Sequence, residues 1–268
     1  MEKIKKKNEN LFEEGKAFFE EYSQKMIEGD NAYVVENLQL KKDHSIKVAA
    51  LSRYIAEHLD MNKNDCDLAE IIGLLHDIGR FSQFEKYESF DDLKTVDHAV
   101  LSLNIINKEE FFKKFQDKDK EAILSAIGNH NKLAFIEKDE RCMKFCKILR
   151  DADKLDIWEK CITYMKRDGS FSMPSICFNL QNKLILNEAV RKDIEMGKLV
   201  QKKDLKTVLD FKVFLLSMIY DINFKISFHY LNQKQLIKNI YETLPKRDEI
   251  FGIYRQIKLL IENKFILK

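Results

Sequence analysis

The sequence predicts an all-α protein, on three observations. Proline occurs twice and glycine eight times in 268 residues, so little interrupts helical propagation. Apolar residues recur at helical spacing: Leu68, Ile71, Ile72 and Leu75 stand at i, i+3, i+4 and i+7, the stripe of a helix packed on a core. Hydrophobic residues make up 45% of the chain and charged ones 34%, enough apolar surface for a core and too much for a disordered chain. The length suits one large domain, or a domain with a helical extension.

The elements follow in order. Leu11, Phe12, Phe18, Phe19, Tyr22 and Met26 give the first helical stretch an aromatic face. It reads as a helix covering the core, with a lid or docking helix as the functional alternative. Gly29-Asp30 reads as a break. Asp43 can cap a helix beginning near His44 or orient that histidine from behind. His58, on the same helix, reads as a surface residue. The stripe of residues 68–75 ends in His76-Asp77, and Gly79 marks the helix end. After Arg80 the stretch FSQFEKYESFDDLKTVDHA loses clean periodicity and reads as a loop. On it Phe81 reads as a core plug and Phe84 as a candidate substrate contact. Arg80 reads either as a bidentate phosphate ligand or as a plain ion-pair residue.

His98 opens a helix running to about Lys114, with Asp97 as its N-cap or hydrogen-bonded partner. Lys118–Gly128 is the next helix, with His130 just beyond it and Asn131 and Lys132 on the following loop. A long helix over 139–165 carries Asp153 and Lys154. Asp151 and Asp156 read as caps on neighbouring turns and ion-pair partners, and Trp158 as core. The pattern stops near Gly169–Pro174, where DGSFSMP is the best boundary. Beyond it Leu184–Met196, Leu205–Ile222, Phe224–Leu231 and Ile250–Ile266 read as helices. Phe211, Phe214, Leu215, Met218 and Ile222 form a wide apolar face there. The expected layout is an N-terminal cover (1–39), a metal-binding helical core (40–165) and additional C-terminal helices (166–268), packed as one unit.

The chemistry lies in a series of stations: His44, His76-Asp77, His98, His130 and Asp153. Each falls beside the apolar stripe of its own helical pattern, where an unpaired polar group is costly. Any one of them alone reads as a hydrogen-bonded half-buried residue. Together they read as ligands of a shared metal centre, since imidazole and carboxylate both suit divalent metals of borderline hardness.

Five segments carry a family resemblance: DHSIKVA (43–49), LLHDIGR (74–80), DHA (97–99), GNH (128–130) and RDADKLD (150–156). In order and separation the chain resembles the HD-domain superfamily of metal-dependent phosphohydrolases. The resemblance implies an HD-domain-like helical bundle and hydrolysis of a phosphoester, often a nucleotide. His98 and His130 resemble the branch with two metals. In that branch His44, His76, Asp77 and Asp153 would hold one ion, His98 and His130 the second, and Asp77 would bridge. Asp77, Lys154 and Arg80 would be the catalytic groups. Arg80, Phe84, Asn131, Lys132 and Lys154 would meet the substrate. Histidine-rich ligation favours iron or manganese, and the same donors admit zinc, cobalt, nickel and magnesium. An HD-fold di-iron oxygenase and a non-catalytic nucleotide-binding regulator are the alternatives. No GYP-type element follows the doublet, which disfavours a cyclic dinucleotide phosphodiesterase of that kind.

With 46 basic and 44 acidic residues the net charge is +2, which argues against a general nucleic-acid binder. The expected partner is a small phosphorylated substrate. Cys66, Cys142, Cys146, Cys161 and Cys177 form no CxxC pair and read as reduced thiols. His229 matches none of the metal stations. The N-terminal MEKIKKKNEN lacks an apolar stretch behind it, and no apolar run approaches the ~20 residues needed to cross a bilayer. The expected location is cytoplasmic, and no membrane partner is expected.

Overall fold

In a computed structural model the described backbone covers residues 2–133, 137–168 and 180–266, with side chains over 11–133, 137–166 and 180–265. The expected boundary at 169–174 and Cys177 lie outside the described residues. Among those described, the structure is helical without β-strands, apart from an isolated bridge between Gln181 and Thr207. None of the described helices is long and apolar enough to cross a membrane. Two compact units divide the chain, residues 1–153 and 154–268.

The first unit holds α1 (Glu2–Ile27), α2 (Ala32–His58), α3 (Lys63–Leu75), α4 (Gly79–Tyr87), α5 (His98–Ile106), a single turn α6 (Glu110–Lys113) and α7 (Asp117–Asn129). It also takes the start of α8 (Glu140–Asp168). The break expected at Gly29-Asp30 falls between α1 and α2. The start of the next helix differs from the expected one. Asn31, not Asp43, caps α2, accepting from the amides of Tyr33 and Val34. Asp43 is exposed inside α2, bonded to Gln39 one turn back at 2.8 Å. Helix α2 is therefore continuous through residues 39 and 40.

Segment 79–87 corrects a second expectation, since it forms α4 where a loop was expected. The irregular stretch is confined to residues 88–97. Gly79 opens α4; it does not close α3. A β-carbon there would meet the His98 carbonyl oxygen at 2.5 Å and the Ser102 nitrogen at 2.6 Å. Glycine thus permits backbone contact between α4 and α5. Gly73 does the same between α3 and α2, where the added carbon would lie 2.8 Å from Ala49 Cα. Phe81 and Phe84 are both fully buried. Phe81 meets Phe19 and Tyr22 of α1 edge-on, so α1 covers the core as expected. Phe84 packs at a tilt against Phe90, ring centres 4.4 Å apart, in the core and not on a substrate-facing loop.

The second unit contains the rest of α8, then α9 (Glu188–Glu195), α10 (Val208–Ser217), α11 (Lys225–Gln233), α12 (Leu236–Glu242) and α13 (Asp248–Ile266). Short 3-10 turns occupy Lys202–Asp204 and Met218–Asp221. Helix α9 is shorter than the expected 184–196, and Leu184 and Ile185 are exposed. Thr207 and Asp210 form a reciprocal capping box at the start of α10. Phe211, Phe214, Leu215, Met218 and Ile222 are buried, as the apolar face requires. Trp158 is fully buried and donates its indole N–H to the Leu215 carbonyl at 2.8 Å. Asp151 and Asp156 lie buried inside the continuous α8 and not at a helix end. Asp156 faces Lys160 at 3.9 Å.

Candidate metal centre

Five helices or helix ends bring the six stations of the first unit together. His44 comes from the middle of α2, His76-Asp77 from the turn between α3 and α4, and His98 from the first residue of α5. His130 follows α7, and Asp153 lies on α8. His44, His76, Asp77, His98 and His130 are all buried, and the Asp153 side chain is 18% exposed. The doublet's turn is stapled to α5 by one hydroxyl. Ser102 Oγ donates to the His76 carbonyl at 2.8 Å and accepts from the Gly79 amide at 2.9 Å.

Asp77 sits at the middle, and its two oxygens face different neighbours. Oδ2 lies 3.7 Å from both His44 Nε2 and His76 Nε2. Oδ1 lies 3.2 Å from His98 Nε2 and 3.6 Å from His130 Nε2. Asp153 Oδ1 joins the first group, 3.0 Å from His44 Nε2 and 3.8 Å from His76 Nε2. Two groupings share Asp77: His44, His76, Asp77, and Asp77, His98, His130.

Three imidazoles are oriented from behind. His76 Nδ1 donates to the Gly73 carbonyl at 2.8 Å and His130 Nδ1 to the Ile127 carbonyl at 2.6 Å. His98 Nδ1 pairs with Asp92 Oδ2 at 2.5 Å. Each ring's donor is thereby committed outward, and each Nε2 lone pair points at Asp77. His76 Nε2 is a buried atom without a hydrogen-bond partner. His98 Nε2 and His130 Nε2 approach to 2.8 Å, close enough for one cation to draw on both. A donor set of converging imidazole nitrogens and carboxylates, with one buried nitrogen orphaned, fits a divalent metal. Arg150 of α8 steadies the His130 turn, donating to the carbonyls of Asn129, His130 and Lys132.

The electrostatics suit metal binding at neutral pH. Burial pushes the His76 imidazole down to about 4. Burial, then the Arg80 charge, takes His98 down to about 3. Burial alone would raise the carboxyls of Asp77 and Asp153. The cation of Lys41 and the surrounding imidazoles outweigh it at Asp77, and His44 outweighs it at Asp153, so both stay below the usual carboxylate range. A pH dependence follows for the metal-free protein. Both histidines bind protons less readily folded than unfolded, where the value is about 6.5. Their contribution to stability is whole above about pH 6.5 and is lost as the pH falls towards 4. The lowered carboxylates begin to lose theirs only below about pH 4. The melting temperature of chelator-treated protein should fall by roughly 5 °C or more between pH 7 and pH 5; a flat profile would contradict the buried neutral imidazoles.

The other expected site residues lie as follows. Arg80 is buried, its Nη1 donating to Gln83 Oε1, the Phe90 carbonyl and Asp92 Oδ1, with Nε 3.6 Å from Asp77 Oδ1. Asn131 donates to Asp97 at 2.8 Å, Lys132 pairs with the same carboxylate, and Asp97 caps α5 through the Ala99 amide. Lys154 is buried and pairs with Asp221 at 2.7 Å in the second unit. His58 is exposed, and His229 rests against Phe265. Cys66, Cys142, Cys146 and Cys161 are buried.

Two residues of the centre escaped the sequence reading. Asp92 orients His98, and its only sequence signal was an acidic pair before DHA. Lys41 places its ammonium 2.9 Å from Asp77 Oδ2. Its position three residues before His44, on the same helical face, was the available signal.

A helical bundle with a buried, histidine-rich centre built around an aspartate is suited to holding a divalent metal. Residues 42–158 match the HD domain family. Searches among curated proteins and among solved structures found no match to the chain. HD domains are in general metal-dependent phosphohydrolases, and the buried histidine and aspartate groups here can bind a metal.

Proposed function

We propose that this protein hydrolyses a small phosphoester, a nucleotide in our reading, at a centre of two divalent metals, with iron or manganese favoured. The observation that carries the reading is the division of Asp77, one oxygen towards His44 and His76 and the other towards His98 and His130. His44, His76, Asp77 and Asp153 would hold one ion, and Asp77, His98 and His130 the other. Bound there, the ions would supply a water of lowered pKa as nucleophile and neutralise phosphoryl oxygens. The chain's own residues prepare that chemistry. Asp92 and the carbonyls of Gly73 and Ile127 hold the three rings in the ligating tautomer. Arg80 fixes Asp92 and adds positive charge beside Asp77. Lys154, next in the chain to Asp153, is the proposed stabiliser of negative charge on the substrate. Asn131 and Lys132 are proposed to lie at the substrate's edge. The expected location is the cytoplasm.

The test is elemental analysis of the purified protein, followed by a phosphoester panel with added Mn²⁺, Fe²⁺ and Zn²⁺. We expect metal to co-purify, and phosphate or nucleoside release that a chelator stops and metal restores. Oxygen uptake without phosphoester cleavage would replace this reading with an oxygenase. Nucleotide binding without turnover would replace it with a regulator.

A further inference from the structure

We propose that Lys41 is a further working residue of this centre. In the metal-free chain its ammonium holds Asp77, and once a divalent cation takes that carboxylate the ammonium serves as a contact for a phosphoryl oxygen. The second clause rests on the phosphohydrolase reading. Lys41 Nζ lies 2.9 Å from Asp77 Oδ2, the oxygen that faces His44 and His76. Its side chain is 18% exposed and Asp77's 4%, so the pair is only weakly screened by solvent. Lys41 stands one turn before His44 on α2, which directs both side chains to the same place. The ammonium is also 5.1 Å from the centre of the Phe90 ring.

The other cation at that ring is already committed. Arg80 lies 5.8 Å from the Phe90 centroid and is tied to Asp92, Gln83 and the Phe90 carbonyl. Among the described residues, Asp77 is the carboxylate partner of Lys41. A divalent ion held by Asp77 would compete for the charge that holds the ammonium, and two cations at this range would repel. The four-carbon stem lets the ammonium turn without moving the helix. The anion it meets next in a loaded hydrolase is the substrate's phosphoryl group.

The opposing signs of two binding constants test this. Chelator-treated full-length wild type, Lys41→Met and Lys41→Arg would be titrated with Mn²⁺, and the loaded proteins then with inorganic phosphate. Lys41→Met should bind Mn²⁺ about tenfold more tightly, the equivalent of one charge-assisted hydrogen bond no longer broken. Its loaded form should bind phosphate about tenfold more weakly. Lys41→Arg should stay near wild type in both. If Lys41→Met folds poorly by circular dichroism, Lys41→Gln takes its place. Mn²⁺ affinity that is unchanged or weaker overturns the proposal, as does unaltered phosphate binding, or a loaded wild type that takes no phosphate. Neither titration uses turnover, so a wild type without phosphoesterase activity would sink the hydrolase reading alone and leave Lys41 to these two constants.

Discussion

Asp77→Ala is expected to abolish phosphoester hydrolysis and to lower bound metal at the same time. The carboxylate is the one group that both histidine clusters share, with Oδ2 towards His44 and His76 and Oδ1 towards His98 and His130. Its removal subtracts a donor from each cluster and takes away the carboxylate that Lys41 meets at 2.9 Å and that Arg80 Nε faces at 3.6 Å. The loss of rate should exceed roughly 10³-fold, the upper end for deletion of a single electrostatic stabiliser. Lys154→Ala makes the contrast: metal retained, rate reduced by ~10²-fold. Release of phosphate or nucleoside from the three proteins, with metal content measured on each sample, is the assay. Equal activity in wild type and Asp77→Ala would remove the centre from the mechanism. Asp77→Asn, which keeps the shape, serves if the alanine variant does not fold.

The second large effect is on metal count. Wild type saturated with Mn²⁺ or Fe²⁺ should hold close to two ions per chain, and His98→Ala combined with His130→Ala should lower that towards one. The pair contributes nitrogens 2.8 Å apart on the Oδ1 side of Asp77, while His44, His76 and Asp153 stay in place on the other side. Inductively coupled plasma mass spectrometry on dialysed protein reads the ratio. A wild type that takes at most one ion would end the two-metal assignment. An unchanged count in the double variant would place the second ion elsewhere.

Much of this architecture was legible because core-facing polar residues interrupt apolar stripes. His44 before Val48, Leu51 and Ile55, and His76 after Leu68, Ile71, Ile72 and Leu75, reported both the helix and the polar position facing its core. What escaped was buried polar structure away from such stripes. Helix α2 begins at Ala32 behind the Asn31 cap, but buried Asn37 and Lys42 break the apolar pattern of its first turns, so the pattern reads as a helix only from near His44. Segment 79–87 read as a loop because Gln83, fully buried, occupies a core position with a polar side chain. Its amide donates to Asp92, Thr95 and the Val96 carbonyl, a long-range network that local periodicity does not register. Lys41 and Asp92 belong to the same category. Their roles depend on the partner each meets across the fold, and a charged residue on a helix or loop ordinarily reads as solvated.

Ser102 and Gly79 set a dimension of the centre. Where a leucine or valine spaces two helices, repacking can shift them by fractions of an ångström. Between α4 and α5 there is little side chain to repack: the carbonyl of His98 and the nitrogen of Ser102 lie against Gly79, and one hydroxyl bonds both the His76 carbonyl and the Gly79 amide. The interval from the doublet to His98 is therefore set by backbone packed on backbone. Any pair of ions held there would have to match a spacing that main chain packed on main chain sets, and not the rotamer of a side chain.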